Sequence, residues 1–405
     1  MAKKETLEFK RAINAPASEV FLATSNPTAL REWFSDVAQI EPRKGGRVYF
    51  AWHQGYYAAG EITKLSPDKR LAFTWTGRGE PDTTQVEISI TAKKNGSTIQ
   101  VAHAGVRTGK RWQKTAAEIK RGWERGLENL QSVLETGRDQ RFTMRPMLGV
   151  TGLEELTPEV AARLNVPVPH GVRIDGTVPG MGAEAAGLKK DDVLTSIGEH
   201  KVASWPNMVS ALQQHRAGDR VSVGFYRGSE KSRLMLELSA RPVAEVPATA
   251  TELADAASKM YASVDAELGN ALQGISEQEA AFSPAPGEWS VKEALAHLVL
   301  GERDNHAWLA ELAAGDERVS SLAGGNSQLR TQATAQTYGD LGALFDELKR
   351  NEAETVAILA ALPDNFVARK RSYWRAANAA LQAADHTREH LRQIESTVAA
   401  ARQPH

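Results

Sequence analysis

Apolar and polar residues alternate along four short runs in the first third of the chain, at residues 48–52, 71–75, 85–91 and 97–103. The runs are rich in β-branched and aromatic residues and end at turns such as Asn95-Gly96, a combination typical of strands. Apolar residues then recur at every third or fourth position from Trp112 to Leu134, which predicts one long helix. We therefore predict an antiparallel sheet wrapped on a long helix, an α+β domain.

The final third of the chain carries helical patterns instead. Ser290 and Glu293 form a capping box ahead of an apolar run, which predicts the start of a helix. A second helical pattern extends from Tyr373 to Ala401. The irregular stretch from Gly315 to Ser327 separates the middle helices and is interpreted as a loop. An all-α domain is the expectation for this part of the chain.

Two stretches have the composition of linkers. Residues 137–145 are polar and follow a predicted helix end, and residues 241–250 contain two prolines among small residues. We therefore expect three domains, at residues 1–138, 145–242 and 250–402.

Composition narrows the possible functions. The 405 residues carry a formal net charge of −1, which gives no overall field for recruiting nucleic acid or an anionic membrane. The chain contains no cysteine, which excludes disulfides, thiolate metal sites and a cysteine nucleophile. The N-terminus lacks the apolar region of a secretory signal, and no apolar run approaches the ~20 residues of a membrane span. We expect a cytoplasmic protein without nucleic-acid or membrane partners.

Three histidines of the last domain lie on helix faces that can meet. His386 and His390 are one turn apart and share an apolar face. His297 shares its face with Gly301, whereas His306, nine residues after His297, is rotated by half a turn. Two imidazoles at this spacing form half of a metal site, and hydrogen-bonded core histidines are the alternative.

The residues around these histidines resemble the DinB-like family over roughly residues 250–400. The pattern is Pro-x-x-Trp-Ser-x-x-x-x-x-x-His-Leu, followed by His-x-x-x-His-x-x-Gln-Ile, and its matching positions are Trp289, Ser290, His297, His386, His390, Gln393 and Ile394. That family comprises metal-binding four-helix bundles and includes thiol-dependent transferases. The resemblance implies that His297, His386 and His390 bind a divalent transition metal, with Zn, Ni and Fe all suited to three imidazoles.

Residues 386–390 also fit the His-x-x-Glu-His pattern of inverted zincin peptidases, with Glu389 as the base. Those enzymes take a further carboxylate ligand well downstream. Only Glu395 follows here, and five residues along the helix it points elsewhere. The bundle is therefore favoured over the peptidase.

The first domain carries a second resemblance, in residues 13–21, 30–34, 45–46, 60–62 and 122–123. These segments resemble the START-like (SRPBCC) proteins, in particular the branch similar to the Hsp90 ATPase activator (AHSA1-like). The resemblance implies a helix-grip fold that holds a small hydrophobic ligand or contacts a chaperone. Its cavity would be lined by Trp33, Trp52, Tyr57 and Trp75, although these residues could equally fill the core. His103 is expected to be structural.

The central segment resembles a PDZ domain of the bacterial HtrA type. The resemblance rests on Arg145-Pro-Met-Leu-Gly-Val150 and on the glycine-rich run from Gly171 to Leu194. It implies a small, mostly-β domain that binds the C-termini of proteins or peptides. Backbone N–H groups of Leu148, Gly149 and Val150 would hold the carboxylate, and Met208 and Leu212 on a helix over residues 206–215 would form side-chain pockets. A spacer role is the alternative.

These observations support two functions. The first is a cytoplasmic multi-domain binding protein that joins a ligand- or chaperone-contacting domain, a peptide-binding domain and a metal-holding bundle. The second is an enzyme, a DinB-like transferase whose metal activates a low-molecular-weight thiol. No complete set of catalytic residues is evident in the sequence, and the transferase reading follows from the resemblance alone.

Overall fold

A computed structural model describes residues 4–52, 55–318 and 327–403. The chain forms two compact units. Met1–Asp139 and Ala244–His405 form the first, and Gln140–Val243 form the second, which is thus inserted into the sequence of the first. Most of the predicted loop from Gly315 to Ser327 lies outside the described residues. Among the described residues, no helix is both long enough and apolar enough to cross a bilayer.

The first unit begins with an antiparallel sheet and a long helix, as predicted. Its seven strands lie in the order β1-β7-β6-β5-β4-β3-β2. Four of them, β3, β5, β6 and β7, correspond to the predicted runs. The elements are β1 (Lys4–Ile13), α1 (Ala17–Ser25), α2 (Pro27–Arg31), β2 (Val37–Ile40), β3 (Arg47–Ala51), β4 (Tyr57–Ser66), β5 (Arg70–Gly77), β6 (Thr84–Lys93), β7 (Gly96–Arg107) and α3 (Lys110–Thr136).

Helix α3 covers the sheet with its apolar stripe. The stripe is buried along the whole helix, from Trp112 through Trp123 and Leu127 to Leu134. The helix ends at Gly137, whose φ of +81° is left-handed. A Cβ at Gly137 would lie 2.6 Å from the carbonyl oxygen of Lys370. Glycine therefore meets two requirements here, a left-handed backbone and a close approach to the last segment.

The second unit is small and rich in short strands, the architecture expected from the PDZ resemblance. Its main sheet has the order β10-β11-β13-β15-β16, with β14 paired to β13, and two further strand pairs are β12-β9 and β17-β8. The elements are α4 (Gln140–Thr143), β8 (Pro146–Met147), β9 (Val150–Thr151), β10 (Glu154–Glu155), α5 (Pro158–Leu164), β11 (Val172–Arg173), β12 (Gly176–Thr177), α6 (Gly182–Ala186), β13 (Val193–Ile197), β14 (His200–Lys201), α7 (Trp205–Leu212), β15 (Arg220–Arg227), β16 (Glu230–Glu237) and β17 (Ser239–Ala240).

The remainder of the first unit is all-α in its described residues. Helix α12 packs against α8 and α10, and α15 contacts the same two helices, which closes a four-helix bundle. The elements are α8 (Ala250–Leu272), α9 (Glu277–Ala280), α10 (Val291–Ala314), α11 (Gln328–Tyr338), α12 (Leu341–Ala360), α13 (Asp364–Val367), α14 (Lys370–Leu381) and α15 (Ala383–Ala401).

The predicted helix from Tyr373 to Ala401 is divided in two. Gln382 has φ −96° and ψ 0°, which interrupts the α-helical geometry between α14 and α15. The N–H of Asp385 donates to the Gln382 carbonyl at 3.1 Å, the shorter spacing of a tightened turn. No proline or glycine marks this position, so the helical periodicity continued across it in the sequence.

A buried carboxylate joins the sheet segment to the bundle within the first unit. Glu317 is 6% exposed and receives two nitrogens of Arg375, at 2.7 and 2.8 Å. Arg31, from α2, pairs with the same carboxylate at 3.1 Å, and Trp308 Nε1 donates to it at 2.7 Å. The N–H of Glu317 donates to Thr28 Oγ1 at 3.0 Å. This residue therefore connects α2 with α10 and α14.

A second buried carboxylate also joins the sheet segment to the bundle, and we call this contact region the junction. Glu32, which follows α2, is 3% exposed and accepts a hydrogen bond of 2.6 Å from Ser372 Oγ. Arg371 forms an ion pair with it. Burial raises the pKa of the Glu32 carboxyl, and the Arg371 cation opposes that rise. Buried charges of this kind depend on their partners, so the pairing holds the two segments in one arrangement.

Candidate metal centre and adjoining cavity

Helix α10 places His297 through a well-defined N-terminus. Ser290 Oγ accepts a hydrogen bond from the Glu293 N–H at 3.2 Å, and Glu293 Oε2 accepts one from the Ser290 N–H at 2.9 Å. This is the predicted capping box. His297 lies two turns further on and is 7% exposed.

The three predicted histidines meet at one point between α10 and α15. His386 Nε2 lies 3.3 Å from His297 Nε2 and 3.1 Å from His390 Nε2. One ring nitrogen of each residue lies within 4.8 Å of the other two, and no fourth His or carboxylate of the described residues joins them. His306 is directed elsewhere, and its Nε2 contacts the Asn351 carbonyl and Thr355 Oγ1, in keeping with its predicted rotation.

Neighbouring side chains orient the imidazoles. His390 Nδ1 lies 2.9 Å from Gln393 Oε1, an acceptor, so Nδ1 carries the proton and Nε2 keeps its lone pair. The Trp289 ring lies 4.8 Å from the His297 ring and 5.9 Å from the His390 ring, between centroids. Gln393 and Trp289 both belong to the motif that resembles the DinB-like family, but the spacing of the motif alone assigned a role to neither.

The three imidazoles differ in their exposure. His297 is buried, His390 is half-buried and His386 is exposed on one side. Desolvation by its packed neighbours lowers the pKa of His386, and the adjacent His390 lowers it further. Both effects favour the neutral imidazole, the form that binds a metal. The donor set therefore fits a divalent transition metal with one side open.

A cavity of about 270 Å³ is lined in part by His386. Gly301, one turn after His297, lies on its wall, and a Cβ there would meet no atom within 4 Å. The lining residues are Leu298, Gly301, Glu302, Asn305, Leu348, Glu352, Ala379, Gln382, Ala383, His386 and Thr387. The two glutamates were not identified from the sequence because they come from different helices without a shared motif.

The predicted peptide groove uses a loop between β8 and β9. The carbonyls of Leu148 and Gly149 accept hydrogen bonds from Ala183 and Val178, at 2.9 and 2.8 Å. Gly149 has a left-handed φ of +81°. Val150 lies in β9 and pairs with Thr177. The carbonyls of Leu148 and Gly149 thus fix the loop in place.

The two residues of helix α7 that were predicted to form side-chain pockets differ in their exposure. Met208 is 2% exposed and belongs to the core of the second unit, whereas Leu212 is partly exposed. Of the two predicted pocket residues, Leu212 therefore has the free surface. Met208 faces inward because it lies on the face of α7 that covers the sheet.

The aromatic residues predicted to line a ligand cavity fill the interior of the first segment instead. Trp33 and Trp75 are 2% and 6% exposed, and Trp52 is partly buried. The ring of Phe34 packs against those of Trp33, Trp52, Trp75 and Trp123, with centroid distances of 5.0 to 6.4 Å. This packing favours the alternative reading, in which these residues form the core.

Tyr57 is placed differently from the prediction. It is 42% exposed and contacts Tyr49 on the outer surface of the sheet. Its neighbour Tyr56 turns the other way and packs on Trp52, with ring centroids 5.4 Å apart. Adjacent residues of a strand face opposite sides, so an error of one position reverses the assignment.

His103 is a structural residue, as predicted. It is fully buried, and its Nδ1 accepts a hydrogen bond of 3.0 Å from Trp123 Nε1. The proton is therefore on Nε2, which donates to Thr84 Oγ1 at 2.7 Å. Burial lowers the pKa of His103 to about 4, so the ring is neutral at physiological pH.

Known families match all three segments of the chain. The family described as Activator of Hsp90 ATPase homolog 1-like protein matches residues 14–135. The PDZ domain family matches residues 146–238, and the DinB superfamily matches residues 260–394.

Curated relatives include bacterial proteases. The chain is 34% identical over 115 residues to a Serine protease Do-like HtrA of Lactococcus lactis, which covers 27% of this chain and 28% of that protein. It is 28% identical over 111 residues to a Probable periplasmic serine protease do/HhoA-like of Haemophilus influenzae, which covers 27% and 23%. The chain thus spans about a quarter of the length of these relatives.

Two solved structures align with about a third of the chain. Protein MLL2253 from Mesorhizobium loti covers 32% of this chain and 97% of its own, at 21% identity and a TM-score of 0.30. The Aha1 dimer from Colwellia psychrerythraea covers 32% and 96%, at 17% identity and a TM-score of 0.30. From the family matches, the chain combines in order an AHSA1-like, a PDZ and a DinB-like segment.

Proposed function

We propose that this chain is a cytoplasmic multi-domain binding protein whose bundle holds a divalent transition metal through His297, His386 and His390. The observation that carries the proposal is the convergence of the three ring nitrogens within 4.8 Å of one another. The relation of residues 260–394 to the DinB superfamily supports it. Zn, Ni and Fe(II) all accept three neutral imidazoles, so the proposal covers each of them.

The surrounding residues have definite roles in such a centre. Gln393 holds the His390 proton on Nδ1 and keeps Nε2 available. Trp289 packs against two of the rings and shields that side from water. Three protein ligands leave at least one coordination position open, where a bound metal would lower the pKa of a water or thiol. The cavity beside His386 gives a small molecule access to that position.

Elemental analysis of purified variants tests the metal centre. We expect about one equivalent of metal in the parent after exposure to Zn, Ni or Fe(II), and sharply weakened retention in His390→Ala because one of three ligands is lost. His306→Ala is the matched control, since His306 bonds to Asn351 and Thr355 instead, and it should retain the parent's metal. Stoichiometric metal in His390→Ala, or none in the parent, would rule the site out.

A metal-dependent thiol transferase is the second candidate. The open side of the three histidines and the cavity next to His386 favour it, because a transferase requires space for a substrate at the metal. The test is the consumption of a low-molecular-weight thiol and an epoxide by the metal-loaded protein, with formation of a thioether. Product formation that depends on both metal and His390 would support the enzyme. A reaction rate equal to that without protein would contradict the enzyme and leave metal binding as the proposed function.

We also propose that the second unit binds the C-termini of proteins or peptides through the loop at Leu148, Gly149 and Val150. Its relation to PDZ domains and HtrA proteins supports this function. A peptide with a free apolar C-terminus should bind about tenfold or more tightly than its amidated form, because charge-assisted hydrogen bonds to the carboxylate are lost on amidation. Fluorescence anisotropy with the two peptides measures the ratio. Equal affinities would contradict carboxylate recognition, and no binding of either would favour the spacer role.

A further inference from the structure

The cavity beside His386 is strongly acidic. Glu302 from α10 and Glu352 from α12 lie on its wall, and no Lys or Arg is present among its described lining residues. Asp265, from α8, lies against Glu352 and adds a third carboxyl group. Apolar side chains complete the wall, including Leu298 and Leu348. The cavity thus combines negative charge with a hydrophobic surface.

Glu302 is held as a fixed acceptor. Tyr261 Oη donates to its Oε1 at 3.0 Å, and Thr355 Oγ1 donates to its Oε2 at 2.6 Å. Thr355 Oγ1 in turn lies 2.9 Å from His306 Nε2. A carboxylate offers about four lone-pair sites, so two remain after these bonds. Glu302 can therefore accept further hydrogen bonds from a molecule in the cavity without moving.

Glu352 has an unsatisfied acceptor. It is 3% exposed, and no N–H or O–H group of the described residues reaches its buried Oε2. The Asp265 carboxyl beside it also has an oxygen without a donor, Oδ1. Two acceptors in contact require a proton or a cationic donor between them. Burial and Asp265 raise the pKa of Glu352 to about 10, so in the free protein a proton meets this requirement.

In the part of the chain that the structure describes, no Lys or Arg lines the cavity beside Glu352. Lys349 of α12 is the nearby cation, but its Nζ pairs with Asp346 at 2.8 Å and lies 4.6 Å from the Phe345 ring centroid. Among the described residues, the acidic groups also do not converge as a metal site does, since only the three histidines bring their ligand atoms together. A hydrogen-bonding cation larger than a metal ion can take the place of the proton that Glu352 and Asp265 share in the free protein.

We propose that this cavity binds the protonated amine of a small organic molecule, with the ammonium group donating to Glu302 and Glu352 and the carbon skeleton extending along Leu298 and Leu348 toward His386. An ammonium group has three donors, which matches the acceptors available there. As the ammonium group enters, Glu352 releases its proton to solvent. The ammonium group thus replaces the proton, and the net charge of the site does not change. The proposal deepens the proposed metal-centre function. It rests on that function only for the chemistry at the end of the bound molecule that lies near His386. Amine binding itself does not require the metal.

Calorimetry on the full-length, chelator-treated protein tests the proposal with two probes of equal size, n-butylamine and 1-butanol. We expect butylammonium to bind at least tenfold more tightly, because only the cation makes charge-assisted hydrogen bonds. Titration at pH 7 in two buffers of different ionisation enthalpy should show net proton release. Because no metal is present, failure here leaves the elemental-analysis result untouched, and the reverse also holds.

Two substitutions give the experiment its control. Glu352→Gln should lower amine affinity about tenfold and abolish proton release, while Glu354→Gln should change neither. Glu354 is on the same helix, but its side chain is 64% exposed. If Glu352→Gln fails to fold by circular dichroism, Glu302→Gln replaces it, with the same expected loss of affinity. Equal affinities for the amine and the alcohol, or equal losses in the glutamate variant and its control, would overturn the proposal.

Discussion

At the scale of single residues, the structure distinguishes a histidine bonded to other residue types from histidines whose ring nitrogens face one another. His103 has a partner on each ring nitrogen, whereas His297, His386 and His390 direct ring nitrogens at one another. Three ring nitrogens directed at one point can serve together as ligands of one metal ion. The environment of each histidine, rather than its burial, therefore indicates its role.

His103 predicts an acid sensitivity of the first unit. Its folded pKa of about 4 is below the unfolded value of 6.5, so between these values only the unfolded chain takes up the proton. The stability contribution is complete above pH 6.5 and is lost as pH falls toward 4, which amounts to about 2 kcal/mol at pH 5. Urea unfolding of chelator-treated protein, followed by tryptophan fluorescence at pH 7.5 and 5, measures this loss.

His103→Gln provides the comparison, because an amide can accept from Trp123 and donate to Thr84 without titrating. The loss of stability between the two pH values should be about 2 kcal/mol smaller in the variant than in the parent. Equal losses in the two proteins would show that other groups cause the acid sensitivity.

At the scale of elements, the sequence predicts what depends on local spacing. The capping box of α10, the stripe of α3 and the histidine pair of α15 all follow from residues within a few turns. The partnership of Glu302 with Glu352 depends on how two helices are rotated against each other, which no single helix encodes. Tyr57 faces outward whereas the preceding Tyr56 packs on Trp52, because adjacent residues of an extended chain face opposite sides.

Two glycines of the helix α3 region predict opposite responses to the same substitution. Gly122→Ala should stabilise the protein by about 0.5–1 kcal/mol, because the position is helical and a Cβ there would meet nothing within 4 Å. Gly137→Ala should destabilise it by more than about 1 kcal/mol, because φ is +81° and the Lys370 carbonyl is 2.6 Å from the new carbon. Thermal unfolding of the two variants and the parent measures both signs. A stabilising Gly137→Ala would contradict the close approach.

At the scale of the whole molecule, the sheet segment and the bundle share one compact unit. The sequence predicted three domains and gave no sign of this junction, because Glu32 and Glu317 resemble ordinary surface acids until their partners are known. Those partners, Arg371 and Arg375, lie more than three hundred and about sixty residues away respectively. Long-range ion pairs have no local signature, so the junction becomes visible only in three dimensions.

The junction predicts a double-mutant cycle with strong coupling. Glu32→Ala or Arg371→Ala alone should destabilise the first unit by about 3–5 kcal/mol, because each leaves a buried charge without its partner. The double variant should lose less than the sum of the two, since neither charge then remains. Chemical unfolding of the four proteins gives the coupling energy. Additive losses would show that the two residues act independently.

The inserted position of the second unit has a consequence for folding. Its first and last strands, Pro146–Met147 and Ser239–Ala240, pair with each other, and the Arg241 N–H donates to the Arg145 carbonyl at 3.1 Å. Thr28 and Glu317, which bond to each other, are 289 residues apart in sequence. Pairing of the two end strands of the second unit shortens the loop between Thr28 and Glu317 by roughly a third. This pairing lowers the free-energy cost of closing that loop by only about 0.4 kcal/mol, because the cost grows with the logarithm of loop length. Early folding of the second unit would therefore speed assembly of the first, because contacts between residues far apart in the sequence form slowly.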